Sequence, residues 1–307
     1  MSSVRSAPAA VLLLLASLTA CVSSRAAGAA EGLSRGPIAQ PAAEAVRPPS
    51  TAVPTASATA AVLRESAPSA TPTVVDGAPS VIGTSVGGRP LEVFRFGGGS
   101  RELLIVAGIH GGYEWNTIAL ADELIEVLRS EPQRIPEDVS LYVLRAINPD
   151  GEARSHGYEG RANENGVDLN RNWPINWHLD WDRTYCWHYL PITAGEHPLS
   201  EPETKAVMRF ILEHDFDGLI SYHSAALGIF PGGSPPDTAS QRLAEAVAAV
   251  SGYRSPPRDY GCEYTGQFAD WAISQGIPAV DVELTNHDAT DFEINLAVLE
   301  TFVTWRP

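Results

Sequence analysis

The sequence predicts an α/β fold, with a largely parallel sheet covered by helices on both faces. Three observations predict it. Short apolar runs with strand character, LLIVAG (103–108), DGLISYH (217–223) and IPAVDVEL (277–284), are separated by segments whose apolar residues recur at helical spacing. The run LLIVAG is apolar throughout, as a central strand covered on both faces must be. Each of the three runs leads directly to a residue with chemistry, namely His110, His223 and Glu283. The ends of strands are where open α/β sheets bind their ligands.

The elements follow in order. LEVFRF (91–96) alternates and reads as an edge strand, and LLIVAG as a central one. From Trp115 to Leu128 a helix is predicted, because Ile118, Ala121, Leu124, Ile125 and Leu128 fall on one face. SLYVLRAIN (140–148) is the next strand, and a long loop rich in Gly, Asn and aromatics runs on to about Leu199. Loops of that length in compact domains are usually functional. Ser200 is placed to cap a helix running to about His214, with Glu203 completing a capping box. After the strand 217–223 come helices over 238–250 and 268–275, the second stopped by Gly276. The strand 277–284 and a closing helix over 293–305 complete the pattern.

The two ends of the chain differ in kind. Arg5 followed by VLLLLASL (11–18) reads as an export signal over residues 1–20, since the apolar stretch is too short to span a bilayer. The small residues before Cys21 resemble a bacterial lipoprotein signal, which implies cleavage there and a lipid on the sulfur; the other reading is an ordinary secretory signal. Residues 21–75 are rich in Ala, Pro, Ser and Thr, too poor in large apolar groups to offset their ordering entropy, and read as a tether. Residues 76–307 have the size of one large domain. The formal charge of −16 argues against nucleic acid or an anionic membrane surface as partner and is compatible with cationic substrates. The only membrane contact expected is the lipid on Cys21. Cys186 and Cys262 remain as a candidate disulfide in an exported chain.

Two imidazoles and one carboxylate at a sheet edge form a ligand set for catalytic zinc, which keeps its fourth position for water. His110, Glu114 and His223 supply those groups, and Arg161, Asn170, Arg171 and Glu283 are the other polar residues such a site needs. The strings GIHGGYEWNT (108–117), INPDG (147–151), GVDLNRNWP (166–174), PLSEPET (198–204), SYHS (221–224), TGQFADWA (265–272) and VELT (282–285), with IGTSVGGRPL (82–91), occur in one order. In that order they resemble the zinc carboxypeptidase family over roughly residues 80 to 290. The family usually separates the His and Glu ligands by two residues; here Gly111, Gly112 and Tyr113 make three, and the glycines can absorb the extra one.

The resemblance implies a mixed, twisted, eight-stranded sheet and one bound zinc held by His110, Glu114 and His223. It implies that Glu283 is the general base and that Arg161, with Arg154 as rival, stabilises the oxyanion. Asn170 and Arg171 would grip the substrate's terminal carboxylate, and Tyr264, with Tyr260 as rival, would close over it. A position near Ala269 would line the specificity pocket, where it offers no partner for a basic side chain. The loop 173–197, with Trp177, Trp181, Trp187 and His188, is a further candidate for shaping that pocket, although each of these aromatics reads as packing before recognition. The expected activity is release of C-terminal residues from peptides with a free terminal carboxylate. The compact domain resembles the small bacterial branch that includes murein peptide amidase, which makes peptidoglycan peptides a candidate substrate. Two other classes stand beside it: a zinc-dependent acyl-amino-acid hydrolase of related fold, and a peptide-binding lipoprotein without catalysis.

Overall fold

A computed structural model of the chain describes residues 77–181, 192–258, 261 and 263–307. The expectations for the signal segment, the tether, Cys186, Trp187, His188, Tyr260 and Cys262 lie outside the described residues.

The strands are β1 (Pro79–Thr84), β2 (Pro90–Phe96), β3 (Arg101–Val106), β4 (Val139–Leu144), β5 (Phe216–Ser224), β6 (Ile229–Pro231) and β7 (Ala279–Leu284). The helices are α1 (Trp115–Ser130), α2 (Pro149–Arg154), α3 (Pro202–Leu212), α4 (Thr238–Ser251), α5 (Phe268–Ser274) and α6 (Phe292–Thr304). The strands form one mixed sheet in the order β1-β2-β4-β3-β5-β7-β6. The central four, β4, β3, β5 and β7, run parallel, while β1, β2 and β6 add antiparallel edges.

The described residues hold seven strands where the family resemblance implies eight. Residue pattern alone shows five of them. It misses β1 because none of its positions is buried, and β6 because three residues ending in a proline carry no periodicity. LEVFRF is consequently not an edge, since β1 pairs along its outer side.

Side chains alternate across the sheet and define two cores. Leu103, Ile105, Leu141, Val143, Ile220, Val280 and Val282 point to one face, where α1, α4 and α6 pack. Leu104, Val106, Leu144, Leu219 and Ala279 point to the other, under α3 and α5. Each fully buried Leu on these faces contributes ~1.5–3 kcal/mol by leaving water. The helices arise as their sequences direct, with two differences. α3 starts after Glu201 with no side-chain cap. Ser200 instead donates to Glu201 and accepts from Asn172, while the Glu203 carboxylate takes the Val86 amide and the Asn163 side chain, so tertiary partners outcompete the local capping box. The strand expected over 140–148 ends at Leu144, and Pro149–Arg154, expected as loop, forms α2, started by Asn148 accepting from the Gly151 amide.

Two polar side chains fix the loops that surround the strand ends. Asp150 of α2 accepts from Ser85 Oγ, the Gly87 amide and Arg89 Nη1, which ties the β1–β2 hairpin to the sheet's upper edge. Gly87 lies so near this carboxylate that a Cβ would come within 2.5 Å of it. Asn172 donates to the carbonyls of Ala194 and His197 and to Ser200 Oγ, and accepts from Thr204 Oγ1. These bonds join the GVDLNRNWP segment to the start of α3.

Candidate metal centre

His110 lies four residues beyond β3, and one 3-10 turn over Gly111–Glu114 carries the chain from it into α1. The turn depends on its glycines. Gly111 has φ +48°, and a Cβ on Gly112 would stand 2.0 Å from the Ser155 carbonyl oxygen. This tight turn absorbs the extra residue and brings Glu114 back over His110, whose Nδ1 is 2.7 Å from Glu114 Oε1. His223 arrives from β5. Its Nδ1 lies 3.3 Å from His110 Nδ1 and 3.2 Å from Glu114 Oε2. All three side chains are at most 4% exposed.

The separations fit a single zinc ion. Ligands bonded at ~2.0–2.1 Å in a tetrahedron stand ~3.3–3.4 Å apart, close to the distance between the two Nδ1 atoms. Glu114 Oε2 is buried and, although His223 Nδ1 faces it at 3.2 Å, it makes no well-formed hydrogen bond, which leaves it open to a cation. Burial opposes ionisation of Glu114, but the two histidines prevail and hold its carboxyl well below the usual range. Burial likewise opposes charge on His223, and Asp281 and Glu114 overcome it, so its pKa lies well above the ordinary value. The cluster therefore sets an ionised carboxylate against two imidazoles.

The far sides of both imidazoles are held as well. His110 Nε2 faces Asp168 Oδ1 at 3.4 Å and Arg161 Nη2 at 2.9 Å. Asp168 in turn accepts from Arg161 Nε at 3.0 Å, and both residues are 1% exposed. Burial would favour neutral Asp168, but Arg161 and His110 keep it ionised far below the usual carboxylate range. His223 Nε2 lies 3.1 Å from Ser221 Oγ and 3.5 Å from Asp281 Oδ1. Partners of this kind fix the tautomer and ring orientation of metal-binding histidines.

The register of the parallel ladder sets His223 on β5 directly opposite Glu283 on β7. Glu283 Oε2 accepts from the Ala226 amide at 2.8 Å. Burial, aided by the charges of Glu114 and Asp281, pushes its carboxyl up to about 7. The cleft is lined by the cluster together with Arg161, Asn170, Arg171, Tyr264, Gln267, Phe230, Asp281 and Glu283, and it encloses about 80 Å³.

Arg161 is thus in the cleft, whereas its rival Arg154 is turned to the surface, where it binds the carbonyls of Glu159 and Ala162 and the Glu164 carboxylate. Arg171 is 2% exposed, with its guanidinium 5.4 Å from the Tyr264 ring and 5.7 Å from the Trp181 ring. Its Nη1 donates to the Asn170 carbonyl, and its Nε has no partner. Burial and the nearby Arg161 charge lower its pKa. Asn170 Oδ1 accepts from the Phe268 amide and so fixes the start of α5.

Two expectations about the pocket change. Ala269 does not line the cleft; it is 2% exposed in the core between α5 and the sheet. Trp177 and Trp181 have the packing role expected first of them: they pack against Ala162, Ile192 and Ala194, with Trp177 Nε1 donating to the Ala194 carbonyl, and so support the loop. Asp281, which residue pattern placed in an apolar strand, lies on the cleft floor. Its signal was present: Asp281 and Glu283 are two acids two residues apart on a strand, hence on one face. Asp168 was within a recognised string but had no assigned role, because no local pattern shows that it pairs with Arg161 seven residues earlier or faces His110.

Comparison with known proteins settles the family. The zinc carboxypeptidase family model matches residues 70–302. The chain belongs to the zinc carboxypeptidase family. The human carboxypeptidase N catalytic chain is 34% identical over 164 residues, which cover 46% of this chain and 35% of that one. Murein peptide amidase A of Escherichia coli K12 is 28% identical over 237 residues, covering 73% of this chain and 89% of that one. The chain spans about half the length or less of the carboxypeptidase relatives, 35% of the human carboxypeptidase N chain and 55% of mouse carboxypeptidase A6. Among solved structures, the murein-tripeptide amidase of Escherichia coli O157 superposes with TM-score 0.59 at 27% identity, covering 75% of this chain and 93% of that one. Bovine thrombin-activatable fibrinolysis inhibitor, at TM-score 0.58 and 22% identity, shares the fold. Family membership identifies zinc as the metal for the His-Glu-His cluster and metal-dependent hydrolysis as the family's class of reaction.

The cluster should bind one zinc per chain, and His223→Ala should lose most of it. Metal analysis of the purified protein checks this, and a variant that keeps its full zinc content would show that His223 is not a ligand.

Proposed function

We propose that this protein is an exported zinc metallocarboxypeptidase that hydrolyses the C-terminal bond of peptides. The observation that carries the reading is Arg171. A buried guanidinium with an unpartnered Nε, in the same cleft as the metal cluster and Glu283, needs an anion beside it. A free C-terminal carboxylate suits that place, because the planar fork of arginine accepts it by parallel hydrogen bonds. Asn170 stands beside Arg171, and Tyr264 borders both the cleft and the larger groove outside it, where it can cover a bound terminus.

His110, Glu114 and His223 would hold the zinc, which when bound would make an activated water available at neutral pH. Glu283, in the same cleft, would serve as the group that accepts a proton and later returns one to the departing amine. Its raised pKa suits both halves, since a group titrating near neutrality can accept and then release a proton. Arg161, fixed by Asp168, presents a rigid cation to the oxyanion that forms on the carbonyl; such preorganised charge typically lowers the barrier by ~2.7–4 kcal/mol.

Cell-wall peptides are the favoured substrates. The match spans 89% of murein peptide amidase A but only 55% of mouse carboxypeptidase A6 and 35% of the human carboxypeptidase N chain, and another relative is the gamma-D-glutamyl-L-diamino acid endopeptidase 1 of Lysinibacillus sphaericus. The N-terminal signal with Cys21 supports export and a lipid anchor on the outer face of a bacterial membrane. An amidase without need of a free terminus is the second reading, favoured by the same relatives.

Glu283→Gln should keep its zinc and its substrate affinity while kcat falls by a factor on the order of 10² or more. In the native enzyme kcat/KM should fall as pH drops below about 7, because Glu283 must be ionised to act as base. A Glu283→Gln enzyme of normal kcat would rule out that role. Arg171→Ala should raise KM more than it lowers kcat, since the contact exists before and during reaction. Native enzyme should cut amidated peptides poorly, and equal cleavage of amidated and free-acid peptides would favour the amidase. Labelled palmitate should enter the protein in a bacterial host and be lost in Cys21→Ala; incorporation that survives the change would refute the anchor.

A further inference from the structure

Asn116 is a buried amide that the proposed chemistry does not use. It stands on the first turn of α1, two residues after Glu114, and is 0% exposed. Its Nδ2 donates to the carbonyls of Asn286 at 2.7 Å and Ala289 at 2.8 Å, and its Oδ1 accepts from Ser224 Oγ at 2.9 Å. The two carbonyls can only accept, so they fix which end of the amide carries the nitrogen. Ser224 has a single hydrogen and gives it to Asn116, so its Oγ must accept from His287 Nδ1, 3.0 Å away. His287 lies in sequence between Asn286 and Ala289. The bonds therefore close into a ring, from His287 to Ser224, from Ser224 to Asn116, and from Asn116 back to the main chain on both sides of His287.

The ring joins three stretches of chain, and two of them flank Glu283. Ser224 ends β5 and begins the segment whose Ala226 amide donates to Glu283 Oε2 at 2.8 Å. Asn286 to Ala289 form the loop that β7 enters just after Glu283. Inside this loop Asn286 Oδ1 accepts from the amides of Asp288 and Ala289, which shapes the turn but ties it to nothing else. Asp291 anchors the loop's ends, accepting from the amide and hydroxyl of Thr285 and from the Tyr253 hydroxyl. Asn116 anchors its middle to α1, a helix held in place by Leu120, Leu124 and Leu128 in the core. Filling space does not account for the amide. A leucine of similar volume would fill the same room and leave two carbonyls and a hydroxyl without their partner.

We infer that Asn116 is a positioning residue for Glu283. By holding the 224–226 segment and the 286–289 loop to one helix, it keeps the Glu283 carboxylate on the Ala226 amide and aimed into the cleft. The inference rests on the proton-transfer role proposed for Glu283. Asn116 itself touches neither substrate nor reacting atoms, so its effect passes through the group it places. A reacting group displaced by about 1 Å can lose on the order of a hundredfold in rate. Asn170 and Arg171 sit on a separate turn with other anchors, so substrate binding should be spared when the ring is broken.

The test is Asn116→Asp, made both in the native chain and in the Glu283→Gln chain. The aspartate is close in shape and can still accept from Ser224, but it turns an oxygen toward the two carbonyls in place of the donor. On a peptide with a free C-terminus, kcat of the zinc-loaded protein should fall about tenfold or more, with KM within about twofold of native and zinc content unchanged. In the Glu283→Gln chain the same change should lower the remaining kcat by less than about twofold, because the group being positioned is already gone. A residue with a merely structural role would slow both chains by the same factor, so equal factors overturn the inference. Native kcat in Asn116→Asp overturns it as well, and so does a loss of zinc or a rise in KM that accounts for the whole defect. In each of these cases a slow Glu283→Gln enzyme leaves the role of Glu283 standing, whereas a Glu283→Gln enzyme of normal kcat overturns that role and the inference with it. Asn116→Ala serves as a second variant should the aspartate protein not accumulate, with the same comparison as readout.

Discussion

The ion pair between Arg161 and Asp168 organises the site. Each residue is 1% exposed, and each would be an uncompensated buried charge without the other. Breaking such a pair on one side typically costs ~3–5 kcal/mol, while removing both partners costs far less. Here the pair also binds outward: Asp168 faces one metal-binding imidazole, and Arg161 reaches that imidazole and lies 3.5 Å from Glu114. A disturbance on the loop carrying Asp168 therefore reaches the cluster without touching a ligand. The asymmetry explains why the segment between Arg161 and Trp173 contains so much of the recognisable sequence. Its residues must arrive together, because each satisfies a charge or hydrogen bond that another would leave bare.

Beyond that pair, the structure divides labour between strands and loops. β5 and β7 deliver His223 and Glu283 by register alone. His110, Arg161, Asn170, Arg171 and Tyr264 come from loops and short turns, where position has to be fixed side chain by side chain. Asp150 fixes the β1–β2 hairpin, Asn172 fixes the 194–204 segment, and Asn170 fixes the first turn of α5. The Gly111–Gly112 turn is fixed from the other side, by carbonyl oxygens that leave no room for a Cβ. A loop held by several specific bonds can be as rigid as a strand, at the cost of having a sequence that tolerates few changes.

The parts legible from sequence were those with short-range signals. The apolar runs of β3, β5 and β7 and the helical spacing of α1, α4 and α6 announced the layers, because burial repeats at a fixed interval. The metal cluster was legible since two of its ligands end such runs. β1 and β6 were not, one for want of any buried position and the other for its length. Ser200 and Glu203 misled, because both satisfy the local capping pattern while their actual partners are Asn172, Val86 and Asn163, remote in sequence. Ala269 misled for a related reason. Its offset from a recognised string placed it near the pocket, but the pocket's floor is set by which face of β7 turns inward, and that brings Asp281 there instead. Sequence reads periodicity and order well, and reads the partner of a lone polar residue poorly.

The ladder between β5 and β7 also bears on how this protein can vary over evolutionary time. A single residue gained or lost within either strand would turn its side chains to the opposite face and send His223 or Glu283 into the helix-covered core. The two strands are thus frozen in length around their reactive residues. The stretch between His110 and Glu114 obeys no such lattice, because a glycine turn can lengthen by one residue and still return the carboxylate to the same place. Variation in ligand spacing should accordingly collect on the His110 side of the centre, and the three-residue gap there is one instance of it.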